Sequence, residues 1–355
     1  MDTVILSHRT ALRAIRAERG RRGSLTWERL SPAASARVLE GAVANAGAID
    51  REELVRAGAL GNESDEVHVL VGTASRRRTR PGIRSHVAGT RRSWLSLLRI
   101  RRGLYCCSPL SVVVQLSRAH RVGEIAALMM ELMGTYSLDA EATDRAWDSR
   151  AERGVSVEPE GPQLHLGCDP ALDAGRLRRA ATLLRGGGGA RGFVRAAGFA
   201  LPGAASPMET VMVAMLAAPK SLGGFGCGNL SRAGIKVNWR IELTPEAAAI
   251  AKMPYVIRDA YIPAASSCFE YNGGYHTHER ARLHDENRNA GLTAMGIEPI
   301  VINREQIRDV QALECIAKRV YLRAGKRYRQ TVAGYRELQH DLLHGLRIGS
   351  GLPPA

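Results

Sequence analysis

The chain has 355 residues and a formal net charge of +15, because 50 lysines and arginines outnumber 35 acidic residues. This length is enough for two or three domains, each with its own hydrophobic core. The positive charge makes an anionic partner the default expectation, although a coding bias towards arginine would produce the same excess. We see no signal peptide before Arg9 and no run of the ~18 apolar residues that span a membrane. The sequence therefore predicts a soluble, cytoplasmic protein without a membrane partner.

The cysteines do not predict a structural metal site. They lie at positions 106, 107, 168, 227, 268 and 315, and no two of them have Cys-x-x-Cys spacing. This pattern favours buried free thiols in a reducing compartment. Cys268 with His276, His278 and His284 comes nearest to a soft-metal cluster, but the acids nearby are better suited to a hard cation.

The first 60 residues have helical periodicity. Helices are predicted over residues 10–22 and 32–46, and Asp50 is a suitable N-cap for a third over residues 51–57. The first helix has a basic face of three arginines, Arg13, Arg16 and Arg19. A helix, a glycine-containing turn and a second helix are compatible with a helix-turn-helix and with any αα-hairpin, and both alternatives stay open.

A basic loop between two strands follows. Residues 67–72 and 83–87 have strand composition, and the segment between them is rich in arginine. Such a loop offers donors to a nucleic-acid backbone without a base-reading element, whereas the alternative is a solvated loop. The candidate nucleic-acid-binding residues are Arg76, Arg77, Arg78, Arg80 and Arg84.

A helix start follows this loop at Ser108, with Pro109 at its first position, and two apolar helices continue the pattern. With the basic loop and the sequence Arg84-Ser-His86, this stretch is similar to the amino-terminal region of abortive-infection antitoxin-like proteins. The resemblance spans roughly residues 60–140. It implies a role in contacting nucleic acid and assigns no catalytic residue.

Composition divides the chain into four parts. Residues 1–138 are predicted to form a mixed α+β region, and residues 139–175, which are acidic and contain proline, a linker or long loop. A second domain over residues 176–330 and a C-terminal tail over residues 331–355 complete the chain.

The second domain has the order helix, three strands, helix, strand. Its first helix begins at Ser206 and Pro207, with Glu209 placed as in a capping box. The later elements are predicted as strands 235–241, 256–262 and 268–272, helix 277–295, strand 297–302 and helix 304–324.

Two acids mark the hairpin within this order. If the hairpin is symmetric about the bond between Ala264 and Ala265, Asp259 and Glu270 lie opposite one another, with Cβ atoms roughly 5 Å apart. Like charges so placed require a proton or a cation between them, which predicts a divalent ion, most naturally Mg²⁺. The alternative is a solvent-facing pair of acids that a one-residue register shift would separate.

The motifs around this hairpin resemble the very-short-patch-repair-like branch of the PD-(D/E)XK endonuclease superfamily. They are Asp259-Ala-Tyr-Ile-Pro, Glu270-Tyr-Asn-Gly, His276, and Asp285-x-x-Arg288 on a helix that leads to an apolar strand. The resemblance covers about the last third of the chain. It implies a restriction-endonuclease-like α/β core within residues 176–330 and Mg²⁺-dependent cleavage of DNA, in a defence, repair or toxin–antitoxin setting.

The resemblance also assigns roles to residues. The catalytic residues would be Asp259, Glu270 and His276, and the metal ligands Asp259, Glu270, Glu209 and Asn272. Asn272 replaces the second acid of the branch's Glu-x-Asp-Gly motif, and its amide can ligate through oxygen but brings no charge. His276 would orient water or protonate the leaving oxygen, while capping would explain Glu209 equally well.

Two further expectations complete the sequence-based picture. Asp285 and Arg288 are three residues apart on a predicted helix, which favours a structural ion pair. The function is either nucleolytic or that of a catalytically impaired, nucleic-acid-binding or antitoxin-like regulator. Asn272 favours the regulator, whereas Asp259, Glu270 and His276 together favour the nuclease. The sequence does not predict a partner protein.

Overall fold

The structure is a computed structural model that describes residues 3–89, 93–144, 162–187, 189–273 and 279–353. In these ranges the chain is a mixed α/β protein, and two of its sheets contain both parallel and antiparallel strands. The α/β class expected from the sequence is confirmed at this level. Helices and strands are numbered below in chain order.

The amino-terminal part contains eight described strands and five described helices. The strands are β1 (Val4–Leu6), β2 (Glu28–Arg29), β3 (Val67–Val71), β4 (Thr79–Arg80), β5 (Ile83–Val87), β6 (Leu97–Arg101), β7 (Leu104–Cys107) and β8 (Tyr136–Leu138). The helices are α1 (His8–Arg22), α2 (Pro32–Gly41), α3 (Arg51–Arg56), α4 (Pro109–Leu116) and α5 (Val122–Leu132).

Seven of these strands form one sheet in the order β2, β6, β7, β1, β3, β5, β4. β1 lies at its centre, parallel to β7 and antiparallel to β3, and β3 is parallel to β5. Because α1 begins two residues after β1 ends, its first turn lies at the middle of the sheet. This topology brings the start of α1 close to β3 and β5.

Local capping chemistry explains the helix starts that the sequence predicted. The Asp50 side chain accepts a hydrogen bond from the Glu53 backbone N–H at the start of α3. At the start of α4, Ser108 accepts from the Ser111 N–H, and Pro109 occupies the first helical position. Both predicted N-caps are confirmed.

The carboxyl-terminal part contains five described strands and seven described helices. The strands are β9 (Leu164–Leu166), β10 (Lys236–Glu242), β11 (Tyr255–Ile262), β12 (Ser267–Asn272) and β13 (Glu298–Asn303). The helices are α6 (Ala174–Leu184), α7 (Arg191–Ala197), α8 (Pro207–Ala217), α9 (Pro245–Ala251), α10 (Glu279–Ala294), α11 (Val310–Arg323) and α12 (Tyr335–Gly349). Among the described helices, none combines the length and the apolar character that crossing a membrane requires.

The second sheet has the order β10, β11, β12, β13. Its first three strands are antiparallel neighbours, and β13 returns parallel to β12 after α10. The predicted strands and the helix between β12 and β13 are confirmed to within a few residues. The short helix α9 was not predicted, although Thr244 caps it and Pro245 occupies its first position.

One hydrophobic cluster includes residues from both sides of the 139–175 segment. It contains side chains of α1, α5, α8, β12 and α12, among them Leu12, Met129, Val213, Phe269 and Leu343. The predicted tail over residues 331–355 therefore needs correction, because it contains α12, which packs on α5. Glycines permit this close approach: a Cβ added to Gly123 would lie 2.8 Å from the Leu342 carbonyl oxygen.

The predicted linker is structured on both sides of residues 145–161, which lie outside the described ranges. β9 pairs with β8 in an antiparallel two-stranded sheet. The backbone N–H of Leu172 donates to the Leu132 carbonyl, and the Leu172 side chain is buried in the main core. These contacts attach the residues after the gap, and before it Asp144 forms an ion pair of 2.5 Å with Arg13 of α1.

The arginines of the predicted basic face of α1 are not all at the surface. The Arg16 and Arg19 side chains are completely buried. Arg16 forms an ion pair with the buried Glu131 of α5, and Arg19 donates to the carbonyl oxygens of Gly134 and Asp169. The helix is as predicted, but Arg16 and Arg19 make internal polar contacts. The sequence did not indicate these contacts because the partner residues are distant along the chain.

Candidate functional site

The β11–β12 hairpin positions the predicted catalytic acids. Its strands pair from Ile262 and Ser267 as far as Ala260 and Phe269, in the register that the symmetric hairpin predicts. Pairing then stops, whereas β11 continues along β10 and β12 continues along β13. Asp259 and Glu270 are the first residues beyond the shared ladder, so they lie where the two strands separate.

Asp259 lies at an irregular point of β11. The ladder with β10 is interrupted opposite it at Asn238, which has a left-handed backbone conformation with φ of 46°. Asp259 Oδ2 accepts a hydrogen bond of 2.7 Å from the Tyr271 N–H. Burial, followed by the nearby charge of Glu209, raises the pKa of Asp259 from 3.8 to about 6, although the Tyr271 hydrogen bond acts in the opposite direction.

Glu209 is buried in the first turn of α8. Its backbone N–H donates to the Ser206 side chain, as the predicted N-cap requires. Its Oε2 accepts hydrogen bonds from the Ala205 N–H at 2.9 Å and from the Asn238 side-chain amide at 2.8 Å. The two interpretations of Glu209 are therefore compatible, since it stabilises the helix start and also lies close enough to Asp259 to raise its pKa.

Glu270 has cationic partners. Its Oε2 forms a close ion pair with the buried Arg258, and its Oε1 lies 3.7 Å from Arg288 Nη1. The predicted pair on α10 is present, with Arg288 Nη1 3.2 Å from Asp285 Oδ1. Arg258 also donates to the Asn289 side chain of α10 at 2.6 Å. The Glu270 carboxylate thus belongs to a charge network with α10.

The predicted acids are therefore only partly brought together. Asp259 lies near Glu209 of α8, while Glu270 contacts the arginines on the α10 side. Within the described ranges, Glu209, Asp259 and Glu270 do not place three ligand atoms within 4.8 Å of one another. Arg258 and Arg288 balance the charge of Glu270, and they also act on Asp259, whose pKa they lower. The convergence of Asp259 and Glu270 on a common ion stays a prediction.

The remaining predicted residues of this site lie at the end of β12. Asn272 is half-buried and pairs with Asn303 of β13. His276 lies outside the described residues, as do its neighbours from 274 to 278. The roles assigned to Asn272 and His276 by the resemblance stay predictions.

The predicted nucleic-acid-binding arginines lie on and beside the short strands β4 and β5, and all five are exposed. Arg78 Nη1 donates to the Ser75 carbonyl at 2.8 Å, and the backbone N–H of Arg78 donates to the Ser85 hydroxyl. Arg84 Nη1 lies 3.3 Å from Glu66 Oε2. The loop is therefore held by internal hydrogen bonds while its guanidinium groups remain accessible to a polyanion.

Three histidines near these arginines were missed by the sequence reasoning. His8, His68 and His86 come together beside β3 and β5, with one nitrogen of each within 4.8 Å of the others. The sequence offered a weak signal, since His68 and His86 each lie in a predicted strand. Their meeting depends on the parallel pairing of β3 with β5, which no local pattern indicates.

No family model, curated protein or solved structure matches the chain. The resemblance to endonucleases stays a prediction from the motifs of the sequence.

Proposed function

We propose that this protein is a metal-dependent endonuclease that hydrolyses DNA phosphodiester bonds through its carboxyl-terminal part. The motifs between Asp259 and Arg288 support this function. The order α8, β10, β11, β12, α10, β13 is also that of a restriction-endonuclease-like core, with α9 as an insertion. The net charge of +15 is favourable for binding a polyanion such as DNA.

The observation that carries the proposal is the proximity of Asp259 and Glu209. The charge of Glu209 contributes to the raised pKa of Asp259, so ionised Asp259 is unfavourable beside it, and a divalent cation would remove this penalty. Hydrogen bonds among the described residues engage Asp259 Oδ2 and Glu209 Oε2. The second oxygen of each carboxylate is therefore the atom that would hold a metal ion.

The donor set fits Mg²⁺, which prefers carboxylate oxygens and keeps several waters. Glu209 and Asp259 would hold the ion, and the Asn272 amide oxygen is a further candidate ligand. Glu270 fits less well, because Arg258 and Arg288 neutralise it. When bound, Mg²⁺ would polarise a phosphoryl oxygen and lower the pKa of a bound water.

The surrounding residues hold these groups in place. The Tyr271 N–H orients the Asp259 carboxylate, and the Asn238 amide, which also donates to the Gly203 carbonyl at 2.7 Å, orients Glu209. Glu270 holds the guanidinium of Arg288, whose side chain is 18% exposed and suited to contact a DNA phosphate. The resemblance assigns the proton transfer to His276.

A second candidate function is supported by Glu270 and Asn272. In this alternative the protein binds nucleic acid as a regulator, and the arginines that neutralise Glu270 have replaced the metal ion. Asn272 lacks the charge that the resembling family has at this position. Such a protein would bind DNA without cleaving it, whether or not a divalent cation is present.

Cleavage of DNA tests the two candidates. The purified protein should nick or linearise plasmid DNA with Mg²⁺ or Mn²⁺ and lose this activity with a chelator. Asp259→Asn should reduce the cleavage rate by about 100-fold or more, since even loss of an outer-shell partner costs 10- to 100-fold. DNA binding without cleavage in either metal would reject the nuclease and support the regulator. Equal cleavage by Asp259→Asn would remove Asp259 from the site.

The arginine loop gives a separate prediction about DNA binding. Changing Arg76, Arg77 and Arg78 together to Gln should weaken binding similarly for all sequences and flatten the dependence of log K on log salt by up to about three units. Fluorescence anisotropy at several salt concentrations measures both quantities. A matched variant neutralises three exposed arginines of α6, namely Arg176, Arg178 and Arg179. If both triple variants have the same slope as the wild type, the loop does not contact the DNA backbone.

A further inference from the structure

Three histidines that are distant in sequence meet on one face of the amino-terminal sheet. His8 is the first residue of α1, His68 lies in β3 and His86 lies in β5. The parallel ladder places His86 opposite Leu70, so His86 shares a face with His68. We refer to these three residues as the histidine cluster.

The spacing of the histidine cluster is close to that of metal ligands. One nitrogen from each imidazole lies within 4.8 Å of the nitrogens from the other two. His86 Nε2 and His68 Nδ1 are 3.1 Å apart. Two nitrogens bound about 2.0–2.1 Å from one tetrahedral zinc ion lie roughly 3.4 Å apart. The His8 ring stacks on His86 with a centroid distance of 3.6 Å, so the third imidazole lies beside the other two.

Neighbouring groups orient two of the rings. Glu66 Oε2 lies 3.4 Å from His68 Nε2, which leaves Nδ1 as the ligand atom of His68. The Ser7 hydroxyl lies 3.1 Å from His8 Nδ1, which leaves Nε2 of His8. Metal-binding histidines commonly use the second nitrogen in this way, because a hydrogen bond there selects the tautomer and the ring orientation.

The imidazoles are neutral at physiological pH, which is the form that binds metal. Burial lowers the pKa of His8 to about 2 and that of His68 to about 3, with the charge of His86 contributing next in both cases. Burial and then Arg84 lower the pKa of His86 to about 4.

The backbone of His8 is held in an unfavourable conformation. Its φ of 48° lies in the left-handed region, which is unfavourable for a residue with a side chain. The Gln115 side chain of α4 accepts a hydrogen bond of 3.0 Å from the His8 N–H. This conformation brings the imidazole of His8 to the other two rings, and strain of this kind is concentrated at functional sites.

The histidine cluster lines a pocket of about 720 Å³. Four arginines contribute to its wall, Arg9, Arg13, Arg84 and Arg118. The acids in the wall are Asp65, which pairs with Arg13, and Glu66, which pairs with Arg84. Arg118 is exposed and lies near enough to His8 to contribute to its lowered pKa. Asp144, outside the wall, lies 3.7 Å from Arg9 and 2.5 Å from Arg13. The excess of positive charge beside the three nitrogens is therefore that of Arg118.

We propose that His8, His68 and His86 bind one zinc ion, and that its remaining coordination position takes a phosphate-bearing ligand held by the arginines of the pocket. Three imidazoles are a ligand set that zinc prefers, and three protein ligands leave one position open. The arginines supply the charge and the fork-shaped donors that recognise phosphate. This site is separate from Asp259 and Glu209 and does not depend on the proposed nuclease activity.

Zinc titration of the chelator-treated full-length protein tests the metal site. Isothermal titration calorimetry should detect a binding step that His68→Asn and His86→Asn each weaken by about 100-fold or more. The control is His340→Asn, because His340 is exposed on α12, and it should bind as the wild type does. Wild-type affinity in both cluster variants would overturn the proposal.

A milder variant and a spectroscopic readout keep this test independent of folding. Glu66→Gln changes an exposed carboxylate that orients His68, and it should weaken zinc binding about 10- to 100-fold without unfolding the metal-free protein. Co²⁺ bound to the wild type should give the intense visible bands of a four-coordinate ion, and His86→Asn should lose them. A weak six-coordinate spectrum in the wild type would contradict a three-histidine site.

Inorganic phosphate tests the ligand. Its addition to the Co²⁺-loaded wild type should shift the visible bands, because an oxygen of the anion would replace water at the metal. Arg118→Gln should raise the phosphate concentration that gives half of this shift without weakening zinc binding, because the change removes a positive charge near the metal. An unchanged spectrum at saturating phosphate would overturn the phosphate ligand, and an unchanged response in Arg118→Gln would overturn the role of this arginine.

Discussion

Glu131→Gln should lower the free energy of unfolding by about 3–5 kcal/mol, because it leaves a buried guanidinium without its counter-charge. The Arg16 and Glu131 side chains are 0% and 1% exposed. Arg16 Nε and Nη2 donate to the two carboxylate oxygens at 3.0 and 2.6 Å, and Nη1 donates to the Thr143 hydroxyl at 2.6 Å. Glu131 Oε1 also accepts from the Leu138 N–H. One substitution thus affects the contact between α1, α5 and β8.

Urea unfolding followed by circular dichroism measures this loss. The matched control is Asp341→Asn, which removes an exposed ion pair of 2.7 Å with Arg121 and should cost about 1 kcal/mol or less. A double variant with methionine at positions 16 and 131 should recover most of the loss, since apolar replacement of both partners removes the unpaired charge. Equal losses for Glu131→Gln and Asp341→Asn would show that burial does not decide the strength of this pair.

The buried pair also shows where sequence-based prediction ends. The helical periodicity of α1 was sufficient to predict the helix, because it depends on residues within a few turns. Its basic face was misjudged because Glu131 is 115 positions from Arg16. A local pattern shows that an arginine lies on a given face, but the surroundings of that face depend on which distant segment packs against it.

The helices and strands of the carboxyl-terminal part were predictable because, as in α1, their signals lie within each element. Ser206, Pro207 and Glu209 are a local helix-start signal, and the strands of the second sheet have strand composition over their own length. Thr244 and Pro245 give an equivalent signal for α9, so that helix was predictable in principle.

The candidate sites were predicted less completely than the elements that carry them. The hairpin register was predicted, but the interruption at Asn238 and the ion pair between Arg258 and Glu270 were not. Both depend on side chains that meet across strands or between a strand and a helix. The histidine cluster is even harder to predict from local sequence patterns, because it requires the pairing of β3 with β5 and the packing of the start of α1 beside them.

Asp259→Asn should stabilise the protein at about pH 8 and have little effect at about pH 4. The pKa of Asp259 is raised from 3.8 to about 6 in the folded state, so the unfolded chain releases this proton more readily. Stability from the protonated form is fully present below the ordinary pKa and is lost as the pH rises through about 6. The wild type therefore has a penalty near pH 8 that the neutral amide avoids, on the order of 1–3 kcal/mol.

Thermal and urea unfolding at both pH values would measure this difference, with Asp341→Asn as an exposed acid that should show no comparable dependence on pH. Mg²⁺ should narrow the difference at the higher pH by stabilising the wild type, since a ligand that binds only the folded state raises its stability. Asp259→Asn could instead prove less stable than the wild type at the higher pH. That result would show that Arg258 and Arg288 stabilise the ionised Asp259 by more than burial and Glu209 destabilise it. A variant that is more stable and yet inactive in the cleavage assay would identify Asp259 as an acid kept for function, because its ionised form weakens the fold that holds it.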